Sequence, residues 1–240
     1  MKDFNYWNLL RSGKAKQDKG LQMIKALYLE EPDASHSMEL GVALLWLEQY
    51  VKAWEHFRSR IDDYPRCGDN DYGMAGVAQW CLGKPDEAVS QWRLGLKAKY
   101  SRTSGLNIRI LLLLYFASTK KPELIKIDQV KELMFKKLAD IRIKNWPGPI
   151  LQFLLGKINV EELDGYCKSL DSQNTVNRFW MSEFYKNLNK PDQSKHLSLR
   201  ECMLKLSDTN KSELDEEPSF LGRIWNEEFF LARYESHAEI

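Results

Sequence analysis

Cysteine is scarce in this chain and follows no pattern. Cys67, Cys81, Cys167 and Cys202 lie far apart and no CxxC pair occurs. That spacing argues against a disulfide framework or a zinc site and for free thiols in a reducing cytosol. Histidine is as thin: His36, His56, His196 and His237 stand apart and none belongs to HExxH, so no metal site is expected. GxGxxG, GxxxxGKS/T and GxSxG are all missing, which leaves no motif for a dinucleotide, a nucleoside triphosphate or an acyl nucleophile. No apolar run nears the ~20 residues a membrane helix needs; the longest is Ile110–Ala117. The opening MKDFNYWNLLRSGKAKQDKG has no apolar export core, so the expected location is the cytoplasm. Charge of one sign is missing too. With 35 basic and 34 acidic residues and a formal charge of +1, neither direct nucleic-acid binding nor an anionic membrane surface is expected.

Paired carboxylates do occur, as Glu30-Glu31, Asp62-Asp63, Asp86-Glu87, Glu161-Glu162, Glu216-Glu217 and Glu227-Glu228. Adjacent side chains on a helix diverge by about 100°, so these do not form acid–base pairs by themselves. Several stand at helix starts, where the macrodipole favours them. No catalytic constellation and no cofactor site emerges, and the chain is expected not to be an enzyme.

What the sequence does contain is one sentence written twice. GVALLWLEQYVKAWEHF (41–57) and GVAQWCLGKPDEAVSQW (76–92) share their first tripeptide, and Leu47, Ala53 and Phe57 match Leu82, Ala88 and Trp92 at an offset of 35 residues. Gly41 and Gly76 each sit in an apolar helical pattern where a small residue lets a second helix approach. Glu48-Gln49 and Gly83-Lys84-Pro85-Asp86 mark the turns between helices, with Pro85 suited to a first helical position. Pro65 closes the first copy. Strand-like alternation is missing throughout, and Gly and Pro fall at helix ends, so an all-α chain is expected.

A helix–turn–helix unit of this length resembles the tetratricopeptide repeat. Leu40, Gly41, Leu44, Tyr50, Ala53, Phe57 and Pro65 match its pattern in the first copy, and Gly76, Gly83, Ala88 and Trp92 in the second, which has Tyr100 where the closing proline belongs. The resemblance implies an α-solenoid of antiparallel helix pairs in one domain. Its expected parts are a degenerate repeat over 1–33 (Gly20, Ile24, Leu27 and Pro32, with Trp7 in a preceding helix), repeats over 34–67 and 69–102, and irregular helices over 103–170. A degenerate repeat over 174–206 and a linker with a capping helix over 207–240 complete it. NLNKPDQSKHL (187–197) echoes CLGKPDEAVSQ (81–91) and carries the last repeat; Phe220, Ile224, Phe229 and Leu231 supply the cap that a solenoid end requires.

In the middle, GLNIRILLLLYFAS (105–118) reads as a fully buried helix. IDQVKELMFKKLADIRIK (127–144) reads as one amphipathic helix with Val130, Leu133, Met134, Leu138 and Ile141 on its apolar stripe. Its basic side chains, Lys131, Lys136, Lys137, Arg142 and Lys144, read as a solvated face. NWPGPILQFLLGKINVEEL (145–163) gives a Pro-broken turn, a short apolar helix and an acidic helix start. That segment is similar to the middle of bacterial outer-membrane lipoproteins built from the same repeats, without their export signal.

In tetratricopeptide proteins the first helix of each pair lines a concave groove. The resemblance places Asn5 and Leu9, then Val42, Leu45, Trp46 and Gln49, then Val77, Trp80 and Lys84 on that face. Trp46 and Trp80 are expected on the same helix face one repeat apart, either in an open groove or filled by the chain's own C-terminal helices. Trp54 and Trp92 read as packing between helices. Such arrays bind polypeptides, so the expected partner is another protein. A stand-alone array without an effector domain also resembles the immunity proteins of bacterial polymorphic and contact-dependent toxin systems. That likeness implies that Asp62, Asp63, Glu161, Glu162, Asp164, Glu213, Asp215, Glu216 and Glu217 meet a basic nuclease toxin domain. The alternatives are an adaptor that docks peptides in the Trp46/Trp80 groove and a homodimer through apolar end helices.

Overall fold

The computed structural model describes residues 5–11, 14–31, 33–63, 67–100, 107–166, 179–181, 183, 184, 188, 228, 230, 231, 233 and 234. These residues are mostly helical and none forms a strand. The helices are α1 (Asn5–Arg11), α2 (Lys14–Glu30), α3 (Ala34–Trp46), α4 (Tyr50–Asp63), α5 (Asp69–Cys81), α6 (Pro85–Gly95), α7 (Ile108–Lys120), α8 (Ile127–Lys137), α9 (Gly148–Leu154) and α10 (Val160–Gly165). A 3-10 turn at Ile141–Lys144 precedes α9. From α1 to α8 each helix packs on the one before and the one after; α5 also touches α3 and α7, and α7 touches α9.

Helix starts follow local chemistry. The Asp33 side chain accepts the His36 N–H at 2.7 Å and opens α3, a cap that satisfies one of the orphan donors of a first turn. Pro85 opens α6, with Asp86 and Glu87 in the first turn, where the macrodipole favours carboxylates. Asn159 and Glu162 exchange side-chain-to-backbone bonds of 2.8 Å in both directions at the start of α10, a capping box.

The offset of 35 residues is physical. It carries α3 onto α5 and the start of α4 onto that of α6. It also carries one turn onto the other, bond for bond. Gln49 N–H donates to Leu44 O and Ala53 N–H to Gln49 O; Lys84 N–H donates to Gln79 O and Ala88 N–H to Lys84 O. Each turn contains one left-handed residue, Gly83 at φ +71° and Glu48 at φ +58°. Glycine takes that conformation freely, whereas a residue with a Cβ gives up about 1–2 kcal/mol. The close approach of helices is duplicated as well. A Cβ on Gly41 would stand 2.5 Å from the Phe57 ring, and one on Gly76 would stand 2.1 Å from Trp92 Nε1.

A third turn of this kind follows α9. Leu155 N–H donates to Leu151 O, Gly156 N–H to Phe153 O and Lys157 N–H to Gln152 O, with Gly156 at φ +65°. Leu-Gly-Lys at 155–157 repeats Leu-Gly-Lys at 82–84, a signal in the sequence that the period of 35 passes over.

The core runs through all of these helices. Trp7 and Leu10 of α1, Leu21 and Ile24 of α2, Phe57 of α4, Trp92 of α6 and the stretch Ile110–Ala117 of α7 are buried, as expected for the apolar helix read over 105–118. One expected helix is corrected. α8 stops at Lys137, and Asp140 then caps the 3-10 turn by accepting the Arg142 N–H at 2.9 Å. The break rotates the chain, so Ile141 is 78% exposed while Ile143 takes the buried place. The basic face is divided by the same break: Lys136 pairs with Glu132 at 2.8 Å and Arg142 with Asp140 at 2.6 Å.

Late in the chain, Phe179, Trp180, Met181, Phe230 and Leu231 are buried. Phe179 lies 6.0 Å, centroid to centroid, from Phe116 of α7. Trp180 Nε1–H donates to Glu228 Oε1 at 3.0 Å, and Lys120 of α7 pairs with Glu183 at 3.4 Å. Pro32, Pro65, Pro191, Phe220, Ile224 and Phe229 lie outside the described residues, as does most of the repeat expected over 174–206.

Candidate protein-interaction surface

Four of the nine side chains expected on a concave face are interior. Val42, Leu45, Val77 and Trp80 are buried and offer a partner no side-chain surface. Leu9, Trp46 and Gln49 are partly exposed and Lys84 is exposed, while Asn5 opens α1.

The two tryptophans do not share a face, which corrects the expectation. They are 34 residues apart whereas the repeat advances by 35, so Trp80 is the counterpart of Leu45 and Trp46 that of Cys81. One residue on a helix is a rotation of about 100°. Trp80 stacks on Trp92 at 5.8 Å and meets Phe116 edge-on at 5.1 Å. Phe179 also lies against Phe116, so Trp92, Trp80, Phe116 and Phe179 form a ladder of the chain's own rings. Trp92 is fully buried, as expected of inter-helix packing; Trp54 is partly exposed, with the Arg58 guanidinium 5.4 Å above its ring.

Trp46 has different company. Its indole Nε1–H donates to Leu10 O of α1 at 2.9 Å. Arg233, far along the chain, sets its guanidinium carbon 5.4 Å from the centre of the same ring. Arg233 Nη1–H donates to the Trp46 carbonyl at 2.7 Å, and Nη2 bonds the Glu48 carboxylate. Arg233 thus reaches the α3–α4 turn, a contact that no local pattern announces.

The expected acidic positions fall into separate places. Asp62 and Asp63 are exposed at the end of α4, Asp62 facing Arg58 at 3.7 Å and Asp63 accepting from Ser59 at 2.6 Å. Glu161, Glu162 and Asp164 are exposed on α10, with Glu162 engaged in the capping box. Glu213, Asp215, Glu216 and Glu217 lie outside the described residues.

Electrostatic shifts follow the packing. Burial raises the Tyr50 and Tyr72 hydroxyls above their usual range. The Arg142 side-chain bond pushes the Asp140 carboxyl down to about 2. His36, bonded to the Glu31 carbonyl at 3.0 Å, is raised by that bond above 6.5. His56 faces the Ser37 carbonyl at 2.7 Å, and its burial lowers it below 6.5.

These two histidines are expected to titrate on opposite sides of 6.5. Ring carbon–proton NMR spectra recorded across the pH range, with peaks assigned through His36→Gln and His56→Gln, read both values directly. The linkage has opposite signs. The stabilisation from His36 is fully present below 6.5 and is lost as pH rises through its raised folded value. His56 disfavours the fold as pH falls below 6.5, where the unfolded chain binds a proton first. A His56 value above 6.5 would contradict the burial described for it, and a His36 value below 6.5 would contradict the bond to the Glu31 carbonyl.

Among the described residues no group of three or more His, Cys, Asp and Glu side chains is placed to hold a metal ion. No helix among them is long and apolar enough to cross a membrane. Compared with protein families, with curated proteins and with solved structures, the chain matches none.

Proposed function

We propose that this chain is a non-enzymatic, tetratricopeptide-like repeat protein whose work is to bind another protein. The observation that carries the reading is the duplicated unit: two helix pairs with the same turn bonds, a left-handed residue at the same position and the same glycine-to-aromatic approach at an offset of 35. Units that bury their apolar faces only on one another build arrays, and arrays present extended surfaces suited to polypeptides. Antiparallel stacking of α3–α4 on α5–α6 is the arrangement this implies. The burial of Val42, Leu45, Val77 and Trp80 argues against an adaptor that works through an open Trp46/Trp80 groove.

The specific form we propose is an immunity protein that neutralises a basic nuclease toxin domain. Exposed carboxylates at Asp62, Asp63, Glu161, Glu162 and Asp164 support it, since complementary charge speeds association with a cationic partner. Affinity capture from a lysate of the native source tests both levels. The wild type is run beside a variant with Asp62, Asp63, Glu161 and Asp164 changed to lysine, after circular dichroism has verified its helicity. A single stoichiometric basic partner with nuclease activity, lost with the variant, is the expected result. Capture that survives charge reversal would overturn the toxin reading and leave protein binding standing. No partner, with a homodimer by light scattering, would overturn both.

A further inference from the structure

The α3–α4 turn holds three groups that suit one kind of ligand. Trp46 is the last residue of α3, so its carbonyl belongs to the helix end that lacks intrahelical donors and favours a cation. Its indole is pinned by the Leu10 carbonyl at 2.9 Å, which fixes the ring as a flat face for a planar cation. Glu48 adds a carboxylate on the same side. A forked guanidinium bonds a carbonyl and a carboxylate while lying over an aromatic ring, which an ammonium does less well.

Glu48 carries the second, independent observation. It occupies the left-handed position at φ +58° that the other two turns of this type give to Gly83 and Gly156. A glutamate there is strained, and strain kept at one of three equivalent positions points to work done by its side chain. In this structure that side chain holds Arg233. The arginine is more exposed than Phe230 and Leu231 beside it. Phe230 and Leu231 are buried and Glu228 bonds Trp180, whereas the Arg233 and Glu48 side chains are 26% and 39% exposed.

We propose that the Trp46–Glu48 turn is an arginine-recognition site, filled within the chain by Arg233 and taken over by an arginine on a protein partner. The partner clause rests on the protein-binding reading above; the existence of the site does not. Intramolecular occupancy lowers the apparent affinity for an outside arginine by the fraction of time the site is closed.

The test uses the full chain and N-acetyl-arginine amide as the probe, followed by the Trp46 indole N–H signal in NMR spectra, assigned through Trp46→Phe. Arg233→Gln and Arg233→Ala empty the site, one keeping the length of the side chain and the other removing it. The expected result is a saturable shift of the Trp46 signal in both variants, at a concentration at least tenfold lower than in the wild type. Adding Glu48→Gly, which relieves the left-handed turn and so keeps the fold, should abolish the shift. No saturable shift in either Arg233 variant, equal affinity in the wild type, or a shift that survives Glu48→Gly would each overturn the site. Should the site hold while lysate capture yields no partner, the protein-binding reading fails instead, and Arg233 is then a purely internal clasp.

Discussion

Replacing Asp71 with alanine is expected to remove about 3–5 kcal/mol of stability, the cost of leaving one member of a buried ion pair without the other. Arg60 of α4 donates Nε–H to Asp71 Oδ1 of α5 at 2.7 Å, and both side chains are 7% exposed. The second oxygen, Oδ2, accepts the Gly68 N–H at 2.9 Å. Asp71 therefore joins α4 to α5 and satisfies the backbone just before α5 begins. Alanine takes the Asp71 carboxylate away from a buried guanidinium and frees that N–H together. Small domains hold only about 5–15 kcal/mol in all, so urea denaturation followed by circular dichroism should show a large fall in midpoint. Asp71→Asn, which keeps the oxygen acceptor without the charge, should fall between. Arg60→Met with Asp71→Leu should recover part of the loss, because apolar replacement of both partners removes the buried charges while the Gly68 N–H still lacks the Asp71 acceptor. A loss under about 1 kcal/mol for Asp71→Ala, the value typical of exposed pairs, would show that the pair is solvated.

Trp92→Ala is expected to cost a similar amount, about 3–5 kcal/mol, as for other buried large aromatics cut to alanine. Trp92 is fully buried, lies on Gly76, stacks on Trp80 and donates Nε1–H to the Gly73 carbonyl at 3.1 Å. Truncation empties the seat between α5 and α6 and takes away the first ring of the ladder that continues through Phe116 to Phe179. Trp92→Phe should lose only about 1 kcal/mol, the net worth of the missing hydrogen bond, with a further small packing loss. The reason lies in the first copy, where Phe57 fills the same position against Gly41. The comparison of alanine with phenylalanine by thermal and urea melts separates ring volume from the indole N–H. Equal losses would mean that the hydrogen bond, and not the ring, holds the two helices.

The repeat was legible because its physical requirement is a pair of residue types: glycine on one helix and a large ring on the next, at a fixed distance. Gly41 with Phe57 and Gly76 with Trp92 announce the same contact twice. The starts of α6 at Pro85 and of α10 at Glu161-Glu162 were legible for a comparable reason, since a ring or a carboxylate at those positions does its work within one turn. The end of α8 was not. Neither glycine nor proline marks Leu138–Asp140, and an apolar period runs on through Ile141 although the helix does not. Trp46 and Trp80 misled because a slip of one position is invisible to a count of spacings yet turns a side chain to another face. Glu48 carries no mark of a left-handed turn at all; only alignment with Gly83 exposes it. The return of Arg233 to Trp46 lies outside any periodic signal, since it joins positions 187 residues apart.

That return has a consequence for how the chain comes to be folded. Neighbour-on-neighbour helices can form in sequence order, each closing a short loop. The bond between Arg233 and Glu48 joins positions 185 residues apart, and closing so long a loop is unfavourable until both ends are already built. During synthesis the early helices therefore wait, with the α3 end and its carbonyl uncovered, until the far segment arrives. The order of assembly itself creates an interval in which the turn is vacant, and any competitor for it has its best opportunity before the chain has first closed.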